Sequence, residues 1–246
     1  VALILLAFLA MTFRFPGATH RTTIVGATGS GKTTAALWLL SEMNWTKRPW
    51  VIIDYKRQDF EEIPNINYHK LTAAPPRKSG LYLVQPLPTA DDDAKVEELF
   101  WKIWKRGKIG VVVDEGFLTP KGESFSALLV TGRSKEIPMI INTQRPVLVP
   151  THVWSESGFF MVFRLNHRRD ERTVEEFTPF DMRRDLPPYH SRWYDVAANE
   201  TNILLPVPDR ATIMDRFAER ARETRRGKRW TEYISPGLSR TGLRFS

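Results

Sequence analysis

Gly26, Ala27, Thr28, Gly29, Ser30, Gly31, Lys32 and Thr33 constrain this chain more than any other residues. They form a glycine-rich loop closed by Lys-Thr, set between the β-type run Thr22, Thr23, Ile24, Val25 and the helix-forming stretch 34–40. Strand, loop and helix in that order make a phosphate cradle. The glycines let successive backbone N–H groups close on phosphate oxygens, and the start of the helix adds partial positive charge. The pattern assigns residues 26–34, Thr34 included, to a nucleoside triphosphate. Lys32 reaches the β- and γ-phosphates and the Thr33 hydroxyl takes Mg²⁺.

Strands and helices alternate from residue 22 to about residue 165, the signature of an α/β chain with a mainly parallel sheet and crossover helices. Short apolar strands are expected at 50–54, 81–84, 109–113, 137–142 and 159–165. Residues 91–106 read as an amphipathic helix, with an acidic first turn, a shared face of Val96, Leu99, Phe100 and Ile103, and a basic end. Further helices are expected at 123–133, 169–177 and 209–226, and two short edge strands at 193–196 and 202–205.

With no cysteine among 246 residues, disulfides, zinc ribbons and iron–sulfur clusters are excluded. The net charge of +8 suits a polyanionic partner, though surface charge alone does not identify one. Val1 to Ala10 are all apolar or small, and Met11 follows. That run is short of the roughly 20 residues a membrane-spanning helix needs. It carries no signal-peptide pattern. A start at Met11 and a membrane segment truncated at its front both fit these letters. The chain divides into this segment (1–11), an ATPase domain (12–207) and a C-terminal helix with a basic tail (208–246).

The strand at 109–113 delivers two carboxylates at its C-terminal end, where ligands sit in open α/β sheets. Asp114 is placed to hold the Mg²⁺ shell, and Glu115 to orient and deprotonate an attacking water. A separate base favours hydrolysis over transfer to a small acceptor. A third element, Ile140 to Pro146, puts the amide of Gln144 where it can contact the γ-phosphate or the water.

Residues 132–146, ending in Thr143, Gln144, Arg145 and Pro146, resemble a stretch of the FtsK/HerA superfamily of DNA-pumping ATPases, in which a "GR…GI" helix end leads to a "TQRP" turn. Val51, Ile52, Ile53, Asp54, Tyr55 and Lys56 are similar to that superfamily's "iDpK" strand end, with Tyr55 in place of the proline. The resemblance spans about residues 22–165, and its size points to the small genome-packaging ATPases of tailless, membrane-containing phages. It implies a RecA-like P-loop NTPase fold, a three-layer sandwich with a small C-terminal extension. It also implies ATP and Mg²⁺, double-stranded DNA, a homo-oligomeric ring (a hexamer), a viral portal or membrane-vertex partner, and a place in the host cytoplasm or at the virion vertex.

A ring motor needs a positive group supplied in trans to the γ-phosphoryl group. Arg133 and Arg145, then Arg164, Arg168 and Arg169, are the candidates. Backbone-reading DNA contacts are expected from Lys121, Arg145 or the tail residues Arg220, Arg222, Arg225, Arg226, Lys228 and Arg229. A plasmid-transfer coupling ATPase, a filamentous-phage assembly ATPase, and a P-loop kinase or switch without motor function are the alternatives.

Overall fold

Every position of the central strands β1, β2, β5, β6 and β7 is buried, most of them by apolar residues, so successive side chains supply two cores, one on each face of the sheet. A computed structural model of the chain describes residues 14–234, with side chains to residue 223. The apolar segment 1–11 and the side chains of Arg225, Arg226, Lys228 and Arg229 lie outside the described residues. The strands are β1 (Arg21–Val25), β2 (Pro49–Asp54), β3 (Asn67–Tyr68), β4 (Gly80–Val84), β5 (Gly110–Asp114), β6 (Met139–Thr143), β7 (Phe159–Val162), β8 (Ser191–Asp195) and β9 (Glu200–Leu204). They form one sheet in the order β3-β4-β2-β5-β6-β1-β7-β8-β9. Pairing is parallel from β3 through β7 and antiparallel for β8 and β9.

The helices are α1 (Lys32–Glu42), α2 (Ala90–Arg106), α3 (Glu123–Thr131), α4 (Thr151–Ser155), α5 (Arg168–Phe177) and α6 (Arg210–Ile234). Val51, Ile53, Val111, Val113, Ile141 and Phe160 face one side of the sheet, with Leu99 and Phe100 of α2, Leu128 of α3, Trp154 of α4 and Val174 of α5. Their neighbours Trp50, Ile52, Val112, Ile140, Phe159 and Met161 face the other, with α1 and the start of α6. Each such side chain, fully buried, contributes about 1.5–3 kcal/mol. The result is helix, sheet, helix: the three-layer α/β sandwich expected.

Local signals set the boundaries. Thr89 caps α2 by accepting from Asp92 N (3.3 Å), and Asp91, Asp92 and Asp93 oppose Lys105 and Arg106 along its dipole. The helix expected at 123–133 ends at Thr131, where Gly132 N bonds to Leu128 O at 3.0 Å. Two elements were not anticipated, the edge strand β3 and the one-turn helix α4.

α6 packs tightly onto α1. Phe217 is fully buried, its ring 5.9 Å from that of Trp45. Arg210 reaches Asp59 Oδ1 at 2.7 Å and Glu62 Oε2 at 2.6 Å, both in the short turn Asp59–Glu62. Arg216 pairs with Glu42 at 3.1 Å, and Arg220 donates to Ser41 O and lies over the Trp45 ring. No helix among the described residues is long and apolar enough to cross a membrane.

Candidate functional site

β1 lies between β6 and β7, so the loop that leaves its C-terminal end emerges in the middle of the sheet. The loop is fastened to both neighbours: Gly26 N donates to Thr143 O (3.3 Å) and Ala27 N to Arg164 O (2.9 Å). A Cβ on Gly26 would come within 2.3 Å of Ser30 Oγ and 2.8 Å of Phe163 Cβ, so only glycine lets the loop close here. Gly31 caps α1 with φ 98°, a left-handed conformation that a side chain would strain. No acid sits in the first turn of α1, which leaves the helix N-terminus free to meet an anion. Ser30 Oγ is buried without a hydrogen-bond partner, as a group facing a ligand is.

Lys32 is almost wholly buried, its ammonium 3.9 Å from Glu115 Oε1. Burial and the neighbouring charge of Lys56 pull the Lys32 pKa down, against the opposing pull of Glu115 and Asp114. Thr33 and Thr34 follow on the first turn of α1, each partly exposed.

β5 brings the two acids beside this loop. Asp114 accepts from Asn142 Nδ2 at 3.1 Å, and burial pushes its carboxyl up to about 6, with Lys56 and Asn142 opposing the shift. Glu115 takes φ 59° and ψ 66°, a left-handed turn that costs a non-glycine residue on the order of 1–3 kcal/mol. The turn sends its buried carboxylate back toward β6, where Oε2 accepts from Gln144 N at 3.3 Å. Thr28 Oγ1 in turn donates to Gln144 Oε1 at 2.6 Å. Residues read separately from sequence as cradle, metal ligand, base and sensor thus meet in one place.

Lys56 also belongs to this group, and sequence reasoning gave it no role. Its ammonium forms an ion pair with Glu115 Oε1 and lies 3.9 Å from Asp114 Oδ2. Burial alone would lower the Lys56 pKa, but the bond to Glu115 and the charge of Asp114 outweigh it and the net shift is upward. The available signal was the spacing of Asp54 and Lys56 at an apolar strand end.

The arginines are spread widely. Arg133 is exposed between α3 and the N-terminal end of β6, at the end of the strands opposite the phosphate loop, so it does not meet this chain's own Lys32. Arg145 lies beside the site, its Nε 3.5 Å from the buried Asp170 carboxylate. Arg164 lines a cleft of ≈450 Å³ that runs from Thr28 and Ser30 to Pro188, Tyr189 and His190. Arg168 pairs with Glu171 at 3.1 Å, and Arg169 is exposed. Lys121 is exposed in the loop before α3, whereas Arg220 is engaged with α1.

Among the described residues no three His, Asp or Glu side chains could hold a metal ion by themselves. Thr33 and Asp114 offer one hydroxyl and one carboxylate, a donor set that suits a hard cation completed by phosphate oxygens and water. Asn142 Oδ1, on the residue that holds Asp114, is buried with no partner.

No family model matches the sequence. The DNA packaging ATPase P9 of Enterobacteria phage PRD1, however, is 41% identical over 219 residues, covering 84% of this chain and 96% of P9. This chain belongs to the phage DNA-packaging ATPase family. That is the class to which the FtsK/HerA-like turn at Thr143 to Pro146, taken with the chain's small size, points. Solved structures share the fold of this family member at much lower identity. The genome packaging NTPase B204 of Sulfolobus turreted icosahedral virus 2, in complex with ATP-gammaS, has a TM-score of 0.61 and 16% identity, covering 78% of this chain and 100% of B204. ATPases 2 and 3 of EssC from Geobacillus thermodenitrificans have a TM-score of 0.57 and 16% identity, covering 88% of this chain and 45% of theirs.

Proposed function

We propose that this chain is an ATP-driven motor that moves double-stranded DNA into a viral particle. The observation that carries the reading is its 41% identity to a phage DNA packaging ATPase across 96% of that relative. The geometry around residues 26–33 supports the ATPase half of it.

In this reading, the loop amides, the α1 N-terminus and Lys32 bind the triphosphate and gather negative charge as the bond to the γ-phosphoryl group loosens. Thr33 and Asp114 would hold Mg²⁺, which when bound would neutralise charge developing on the phosphates. Asn142 keeps the Asp114 carboxylate aimed at that position. Gln144, braced by Thr28, orients a water for in-line attack on the γ-phosphorus. Glu115 takes that water's proton as the bond to the ADP oxygen breaks.

Arg133 acts in trans, since its place at the N-terminal end of β6, the far end of the strands from the phosphate loop, puts it out of reach of its own site. Arg145, Arg164, Arg168 and Arg169 are the secondary candidates. That need for a neighbour supports a closed ring, which we take to be a hexamer acting at a portal or membrane vertex of the virion or in the host cytoplasm. Lys121, Arg145 and Arg222 are the described basic residues suited to the DNA backbone. Residues 12–207 form the motor unit, and 208–246 an appended helix and tail.

ATP turnover measured with and without double-stranded DNA, alongside mass in solution, tests the proposal. Stimulated turnover by a multimer is expected. A monomer whose turnover ignores DNA overturns it.

A further inference from the structure

Glu115 cannot serve as a base while Lys56 holds it. With the Lys56 ammonium on Oε1 and the Gln144 N–H on Oε2, neither carboxylate oxygen is open to an attacking water. The chain nevertheless builds this contact with care. Asp54, wholly buried at the end of β2, accepts from the backbone N–H groups of Lys56 (3.2 Å), Arg57 (3.0 Å) and Gln58 (3.1 Å). Arg57 adopts φ 56°, turning the loop sharply after Lys56. β2 and β5 are parallel neighbours with Asp54 opposite Asp114, so the loop after β2 overhangs the acids at the end of β5.

Glu115 Oε1 consequently sits between two ammoniums, Lys56 in direct ionic contact and Lys32 at 3.9 Å. Lys32 belongs to the phosphate loop, so Lys56 is within a short swing of the same phosphate. The three side chains differ in freedom: Lys56 is 30% exposed, Lys32 4% and Glu115 1%. Lys56 is the member able to move. A γ-phosphate offers more negative charge and more acceptor oxygens than the carboxylate does, and it competes for the ammonium directly.

We propose that Lys56 is a γ-phosphate sensor that clamps Glu115 when the loop holds ADP or nothing, and moves its ammonium onto the γ-phosphate when a triphosphate arrives. The transfer frees Oε1 to face the water, so the base becomes competent only when there is something to hydrolyse. ADP lacks the group that draws Lys56 away. The proposal rests on residues 26–33 being the ATP site.

The test is nucleotide affinity of the full chain without DNA, using fluorescent ADP and a fluorescent non-hydrolysable β,γ-imido ATP analogue with Mg²⁺. Lys56→Met should weaken the triphosphate analogue about tenfold or more, the worth of a charged hydrogen bond, and leave ADP within about twofold. Lys56→Gln should show the same selective loss, and Lys56→Arg should restore most of the binding. Glu115→Gln releases the lysine and should tighten the triphosphate about threefold, a gain that vanishes in the Lys56→Met, Glu115→Gln pair. Equal losses for both nucleotides, or a gain that survives in the double variant, overturn the sensor. A parent chain that binds neither nucleotide instead overturns the ATP site itself.

Discussion

The Thr28 hydroxyl donates to Gln144 Oε1 at 2.6 Å, joining the phosphate loop to the turn after β6. The backbone N–H of the same glutamine donates to Glu115 Oε2 at 3.3 Å. Loop, acid and turn therefore form one connected network, and a change at any point should be felt at the others. Gln144→Ala is expected to lower kcat by about 10²-fold while shifting nucleotide affinity less than about threefold. Thr28→Val should cost less, and the two losses should not add, as a double-mutant cycle on kcat will measure.

Burial raises the Asp114 pKa from 3.8 to about 6, so the folded chain binds its proton more tightly than the unfolded chain does. Stability from this group is therefore fully present below about pH 4 and declines as pH rises toward about 6, then levels. Asp114→Asn removes the titration. Unfolding free energies of nucleotide- and Mg²⁺-free protein should show the variant gaining on the parent between those two pH values, and no further above them.

Arg133 and the phosphate loop lie at opposite ends of the central strands, which makes complementation between chains a direct assay. Arg133→Ala and Lys32→Ala should each lose about a thousandfold or more of DNA-stimulated turnover, Arg133→Ala with nucleotide binding intact. Mixing the two variants should recover activity, because intact loops then meet intact arginines. Recovery absent from co-assembled mixtures would remove Arg133 from the role.

Phe217 is fully buried against Trp45 and α1. Phe217→Ala should destabilise the chain by about 3–5 kcal/mol, read from urea unfolding of the full-length protein. An effect below about 1 kcal/mol would mean that α6 docks loosely.

Much of this molecule is legible in its letters because local signals and tertiary structure agree. Residues 26–33 specify their own conformation, and the apolar run 109–113 ending in Asp114 and Glu115 reads as a buried strand without further context. What escaped was either too short or dependent on topology. β3 is two exposed residues, with no alternation to detect, and α4 is a single turn between Pro150 and Glu156. Lys56 escaped because its partner lies on a strand far along the chain, and only the β2–β5 pairing brings the two together. Arg220 read as part of a basic tail because a charge run does not reveal that one member turns inward onto Trp45.

The ion pairs of α6 have a mechanical meaning. Arg210 grips Asp59 and Glu62, on the segment that continues directly from the Lys56 loop, while Arg216 and Arg220 grip Glu42 and Ser41, at the far end of the helix that begins with Lys32. The two lysines that flank Glu115 are thus carried by two segments strapped to a single rod. Those contacts make α6 an element that touches both segments, so a substitution that loosens it is expected to alter the setting of both lysines together.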